Sequence, residues 1–134
     1  MLRTLLAGAL AVALSGCSSE PITQTPFQRA AADAASVLSA AAYTLEFIHS
    51  EPPRLTVEYG QASVINYLDQ VTGVPEELPA LDGAPDETAV RALTSQLDAA
   101  ISDLENACLV PECDWQSQVA RMTAVSQVLA QSAE

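Results

Sequence analysis

The 134-residue chain contains no lysine, and five arginines stand against 17 carboxylates. With a formal net charge of −12 at pH 7, it lacks the basic groups that grip a phosphate backbone, so ordinary nucleic-acid binding is excluded. Histidine occurs once, at His49, which removes most multi-histidine metal centres. The five glycines form no phosphate-cradling loop, and no C-x-x-C-H haem attachment site occurs. No serine or cysteine motif accompanies the lone histidine, so the pattern for nucleophilic catalysis is missing and no enzyme is expected. No apolar run reaches the roughly 20 residues of a membrane span. Apolar types still make up 49% of the chain, enough to build a core and too much for a disordered polymer.

The amino-terminal segment carries the most specific signal. Met1-Leu2-Arg3 is a short positive start, and Thr4 to Leu14 is an apolar stretch of signal-peptide length. It ends in Leu14-Ser15-Gly16-Cys17: a branched apolar residue, two small residues, then cysteine. This segment resembles the lipobox of bacterial lipoproteins at all four positions. The resemblance covers the export segment alone. It implies that the Cys17 thiol receives a diacylglyceryl group, that cleavage follows Gly16, and that the new amino terminus is open to acylation, with palmitate among the acyl chains. Two or more such chains hold a protein stably on a bilayer. The competing reading is an ordinary signal peptide with a chance cysteine. Ser18 after the lipidated cysteine is compatible with outer-membrane delivery in a Gram-negative cell.

These signals divide the chain into a signal peptide (1–16), a lipidated tether (17–25) and a helical domain (26–134). The stretch Ser18 to Thr25 has one proline, Pro21, with Pro26 just beyond it, and no apolar period, and spans at most about 26 Å when extended. Export also accounts for the odd cysteine count. With Cys17 lipidated, Cys108 and Cys113 remain as a pair in an oxidising compartment. An unbroken helix would hold them roughly 8 Å apart, but Pro111 between them lets the segment fold back as a disulfide-stapled turn. A redox-active pair would favour a C-x-x-C spacing and a lowered thiol pKa.

Four amphipathic helices are predicted. The first opens with Thr25 as N-cap, Pro26 at its first position and Gln28 completing a capping box. Its face is Phe27, Ala31, Ala34, Leu38, Ala41, Leu45 and Ile48, and Pro52-Pro53 ends it. The second starts between Pro53 and Glu58 and runs to about Thr72. Leu55, Tyr59, Ala62, Ile65 and Leu68 form its inner side and Gly73 its stop. Val74 to Ala84 is expected to be the longest loop. The third opens at Pro85 and buries Val90, Leu93, Leu97, Ile101, Leu104 and Cys108; the fourth opens at Pro111 and buries Trp115, Val119, Met122, Val125 and Leu129. Together they predict an all-α, antiparallel up-down four-helix bundle.

Few residues suggest chemistry. Glu46 and His49 share a helix face and could together ligate a metal, but a bundle metal centre needs a second such pair. A haem held between His49 and Met122 is a further possibility. Otherwise His49 is a surface ring at a helix end, where the dipole favours partial positive charge. Glu76, Glu77, Asp82, Asp86 and Glu87 could gather a divalent cation or simply solvate a loop. Tyr43 and Phe47 lie off the main stripe of the first helix, as a second core face or a partner patch.

The expectation is therefore a lipid-anchored envelope protein, bound to the membrane through Cys17. It acts as a non-catalytic accessory to a protein partner, with no cofactor beyond the covalent lipid. Two alternatives remain: a carrier of a small ligand, metal or haem in the bundle core, or an inhibitor of an envelope hydrolase such as a lysozyme.

Overall fold

The computed structural model describes residues 23–134. The signal peptide 1–16, Cys17 and the tether up to residue 22 lie outside the described residues. Four long helices pack in antiparallel up-down order: α1 (Pro26–His49), α2 (Val57–Val71), α4 (Glu87–Glu105) and α5 (Trp115–Ser132). A one-turn helix α3 (Val74–Glu77) and a 3-10 turn (Leu78–Ala80) connect α2 to α4. Each long helix packs on two neighbours, in the ring α1–α2–α4–α5. All-α architecture and the four-helix bundle agree with the apolar periods in the sequence.

Helix α1 is the axis of the domain. Thr25 accepts from the backbone N–H of Gln28, and the Gln28 side chain accepts in return from Thr25 N–H, so two orphan donors are satisfied at once. All seven residues of its expected face are buried, and Ala35, Ala42 and Thr44 are buried beside them. Burial on that breadth means contact with more than one neighbour. On one side the Ser126 hydroxyl of α5 donates to the Ala35 carbonyl across 2.8 Å. On the other, Thr44 Oγ1 donates to Ala40 O, so it must accept from the Tyr67 hydroxyl of α2, 3.0 Å away. Among the described residues no buried side-chain oxygen or nitrogen lacks a partner, as a stable core requires.

Helix α2 keeps Leu68 of the expected inner side against the core, but Leu55 precedes the helix and the other three residues face outward. Tyr59 is 58% exposed, Ile65 is 63% exposed, and Ala62 is exposed as well. The inward side is Gly60 and Val71, both buried, with Val64, Tyr67 and Leu68 packed on the core. Gly60 decides the rotation. A Cβ there would collide with the Ile48 side chain and touch Leu109, so the missing side chain lets α1 and the α4–α5 connection close over α2.

The stretch Val74 to Ala84 is more ordered than a loop. Gly73 has a right-handed backbone and caps α3 rather than stopping α2. Pro75 and Pro79 sit at first-turn positions of α3 and the 3-10 turn, where a missing N–H costs nothing. Leu78 is fully buried and pins this segment to the core. Beyond it, Asp82 O accepts from Phe27 N–H at 3.0 Å. Gly83 has φ +89°, and a Cβ would run into the Thr25 side chain; only glycine fits there.

Helix α4 begins where Asp86 accepts from Ala89 N–H, one residue after Pro85, and buries the expected stripe. Helix α5 begins later than Pro111 suggests, because the turn holding Cys108 and Cys113 runs to Asp114, which caps Ser117. Arg121 of α5 grips Asp103 of α4 with two 2.7 Å bonds.

The orientation of α2 makes a sharp forecast. Ile65→Gln on the outer side changes stability by no more than about 0.5 kcal/mol. Val71→Ala on the inner side costs about 2 kcal/mol. Urea denaturation measures both, and the reverse ranking contradicts the assigned face.

Candidate functional site

Antiparallel packing brings the end of α1 beside the start of α5. His49, the last residue of α1, stacks flat on Trp115, the first of α5, with centroids 4.7 Å apart and planes 3° from parallel. Its Nε2 lies 2.7 Å from the Cys108 carbonyl. A carbonyl only accepts, so Nε2 carries the hydrogen and donates. His49 is thus half-buried, engaged through its ring face and its edge, and not the free surface ring expected at a helix end. Trp115 is half-buried too.

The turn that His49 touches is held from several directions. Cys108 and Cys113 stand at disulfide distance, with Cα atoms 5.9 Å apart and their sulfurs facing each other. The Gln118 amide closes the frayed end of α4: Oε1 accepts from Cys108 N–H, and Nε2 donates to Asn106 O, both at 2.8 Å. Asp114 is held below the ordinary carboxyl value of 3.8, first by the Ser117 hydroxyl at 2.6 Å and then by the Ser117 N–H.

Beside this turn lies an open groove of about 530 Å³. Ile48, Pro53, Leu55, Val57, Leu109 and Pro111 form its apolar wall. Two of the backbone donors beside it are occupied. Arg54 N–H donates to Phe47 O and Ser50 Oγ, and Tyr59 N–H to Thr56 Oγ1. The groove is lined mainly by apolar surface, with His49, Arg54 and Thr56 among it. Val57 and Val110 beside it are 40% and 58% exposed.

The other sequence candidates do not assemble into a donor set. Glu46 is exposed, while His49 faces a carbonyl through Nε2. Met122 is fully buried in the core. Asp86 caps α4, and Glu87 pairs with Arg91 at 2.7 Å; Glu76, Glu77 and Asp82 are exposed. Among the described residues no three of His, Cys, Asp and Glu come close enough to hold a metal ion. Tyr43 and Phe47 stack loosely, with centroids 6.3 Å apart, and neither joins the core cluster. Tyr43 is 58% exposed, and Phe47 lies under the Arg54 guanidinium at 5.5 Å.

The sequence reading missed the His49–Trp115 stack and the Gln118 clamp. The usable signal was helix order: the end of α1 and the start of α5 must be neighbours in an up-down bundle. No protein-family model, curated protein or solved structure matches the chain.

Two measurements check the turn. Reduction of the cysteine pair lowers stability by about 2 kcal/mol or less, as expected for so short a loop, and the unfolded oxidised protein titrates with no free thiol. The Asp114 carboxyl has a depressed folded pKa, so its contribution is full above the unfolded value of 3.8 and is lost as pH falls through the folded value. Asp114→Ala therefore melts below the parent at about pH 6, and the gap closes in strong acid. A gap that persists unchanged into acid contradicts the assignment.

Proposed function

We propose that the chain is a bacterial envelope lipoprotein whose helical domain acts by binding, as a non-catalytic accessory to a protein partner. The observation that carries this reading is Leu14-Ser15-Gly16-Cys17, placed behind an apolar segment of signal length. Lipid on Cys17 replaces a membrane span, and no described helix is long and apolar enough to cross a bilayer. A cysteine pair at disulfide distance suits an oxidising compartment. The domain lies on the extracytoplasmic side, at the outer membrane if the cell is Gram-negative.

The described tether residues 23–25 lead into the N-cap of α1. Helix α1 has 24 residues, which sets its far end about 36 Å from that point. The His49–Trp115 end, with its braced turn and apolar groove, is then the end held away from the membrane. Binding is favoured over carriage because the residues proposed for a core ligand have other partners: His49 donates to Cys108 O, and Met122 is packed in the core.

Expression in bacteria fed labelled palmitate tests the anchor. The parent chain should carry label and sediment with membranes, while Cys17→Ser should carry none. An unlabelled parent chain released in soluble form contradicts the proposal.

A further inference from the structure

The groove at the His49 end has a chemical character that defines its occupant. Its lining is mostly proline and aliphatic side chain, with His49, Arg54 and Thr56 among it, and the Arg54 and Tyr59 N–H groups beside it are paired within the chain. No strand occurs among the described residues, so no sheet edge is available to capture an extended peptide. The main recognition surface here is the apolar side chain of the trough.

Three carboxylates flank the groove residues along the chain. Glu51, Glu58 and Glu112 are all exposed and lie within two residues of wall residues Pro53, Val57 and Pro111. Arg54 is the one cation in the wall, and its guanidinium is turned over the Phe47 ring. A second copy of this chain would bring the same three carboxylates against themselves, and like charges facing each other oppose association. An anionic lipid surface is repelled for the same reason, and the groove lies at the opposite end of α1 from Thr25.

We propose that this groove docks a basic amphipathic helix of another protein, its apolar stripe in the trough and its lysines or arginines against Glu51, Glu58 and Glu112. This identifies the partner surface of the binding role proposed above and rests on that reading. The braced turn serves the same end. The Cys108–Cys113 pair, the Gln118 clamp and His49 fix the strand of chain that supplies Leu109 and Pro111, so one wall is set before the partner arrives.

The experiment uses the full chain in neutral-lipid nanodiscs with a photo-crosslinking residue in place of Val110. The probes are a leucine–lysine amphipathic helical peptide, a scrambled peptide of the same composition, and a leucine–glutamate counterpart. The expected result is adduct with the leucine–lysine helix, about tenfold above either control at about 0.15 M salt. Val57→Arg, at an exposed position in the first turn of α2, removes that adduct. The triple change Glu51→Lys, Glu58→Lys, Glu112→Lys inverts the preference toward the leucine–glutamate helix. The matched change Glu76→Lys, Glu77→Lys, Asp82→Lys at the other end alters net charge equally and leaves the preference unchanged. Equal labelling by the scrambled peptide, equal effects of the two triple changes, or an adduct to a second copy overturns the proposal. Palmitate labelling is read on the same preparation. Groove binding without lipid leaves the docking surface and removes the anchor; lipid without groove binding does the opposite.

Discussion

The close approach of α1 to α5 is the contact on which the other elements depend. Five buried alanines on α1, Ala31, Ala34, Ala35, Ala41 and Ala42, leave little side chain between the backbones. The Ser126 hydroxyl can therefore reach the Ala35 carbonyl directly. Once that pair is set, each remaining piece attaches to α1. Tyr67 brings α2 to Thr44, Phe27 N–H fixes the segment before α4 through Asp82 O, and His49 holds the cysteine turn through Cys108 O. Gln28 reaches the carbonyl of Glu134 and closes the same pair at its other end. A larger residue at Ala35 would push α5 outward and strain these ties together.

The elements differ in how far they could be read from residues. Helix α1 was legible in its start and its main face because its cap, its first-turn proline and its apolar period agree with one another, while the further burial of Ala35, Ala42 and Thr44 was not. Helix α4 was legible in its buried stripe from Val90 to Leu104, but it starts after Pro85, with Asp86 as its cap, and ends before Cys108. Helix α2 misleads because it carries apolar residues on two sides. Counting apolar types favours Tyr59, Ala62 and Ile65, while burial follows Gly60, where absence of a side chain permits contact. Prolines mislead between α2 and α4, since Pro75 and Pro79 begin short turns instead of only breaking longer ones. The start of α5 is displaced because a turn tied at Cys108 and Cys113 delays the first helical residue to Trp115. The His49 environment is tertiary, joining residues 49, 108 and 115, and no local pattern encodes it.

The two ends of the bundle differ in construction. One end holds the tether residues, the Thr25 cap and the Gly83 turn that packs on it. The other holds a cross-braced turn, a histidine engaged on two sides and an apolar groove flanked along the chain by carboxylates. Side-chain acids without lysine leave the domain strongly negative, which favours basic partners and disfavours self-association. Under the proposed function, lipid at one end and docking at the other would make the bundle a short spacer, the anchor setting the distance from the bilayer and the bundle what is presented there.

The most direct test of that arrangement is a depth measurement on the lipidated protein in vesicles containing nickel-chelating lipid. One spin label replaces Pro79, near the tether end, and another replaces Val110, at the groove end; both positions are exposed. The account predicts strong relaxation of the label at position 79 by the bilayer-bound nickel and little relaxation at position 110. Equal relaxation at both positions, or the stronger effect at position 110, would contradict it.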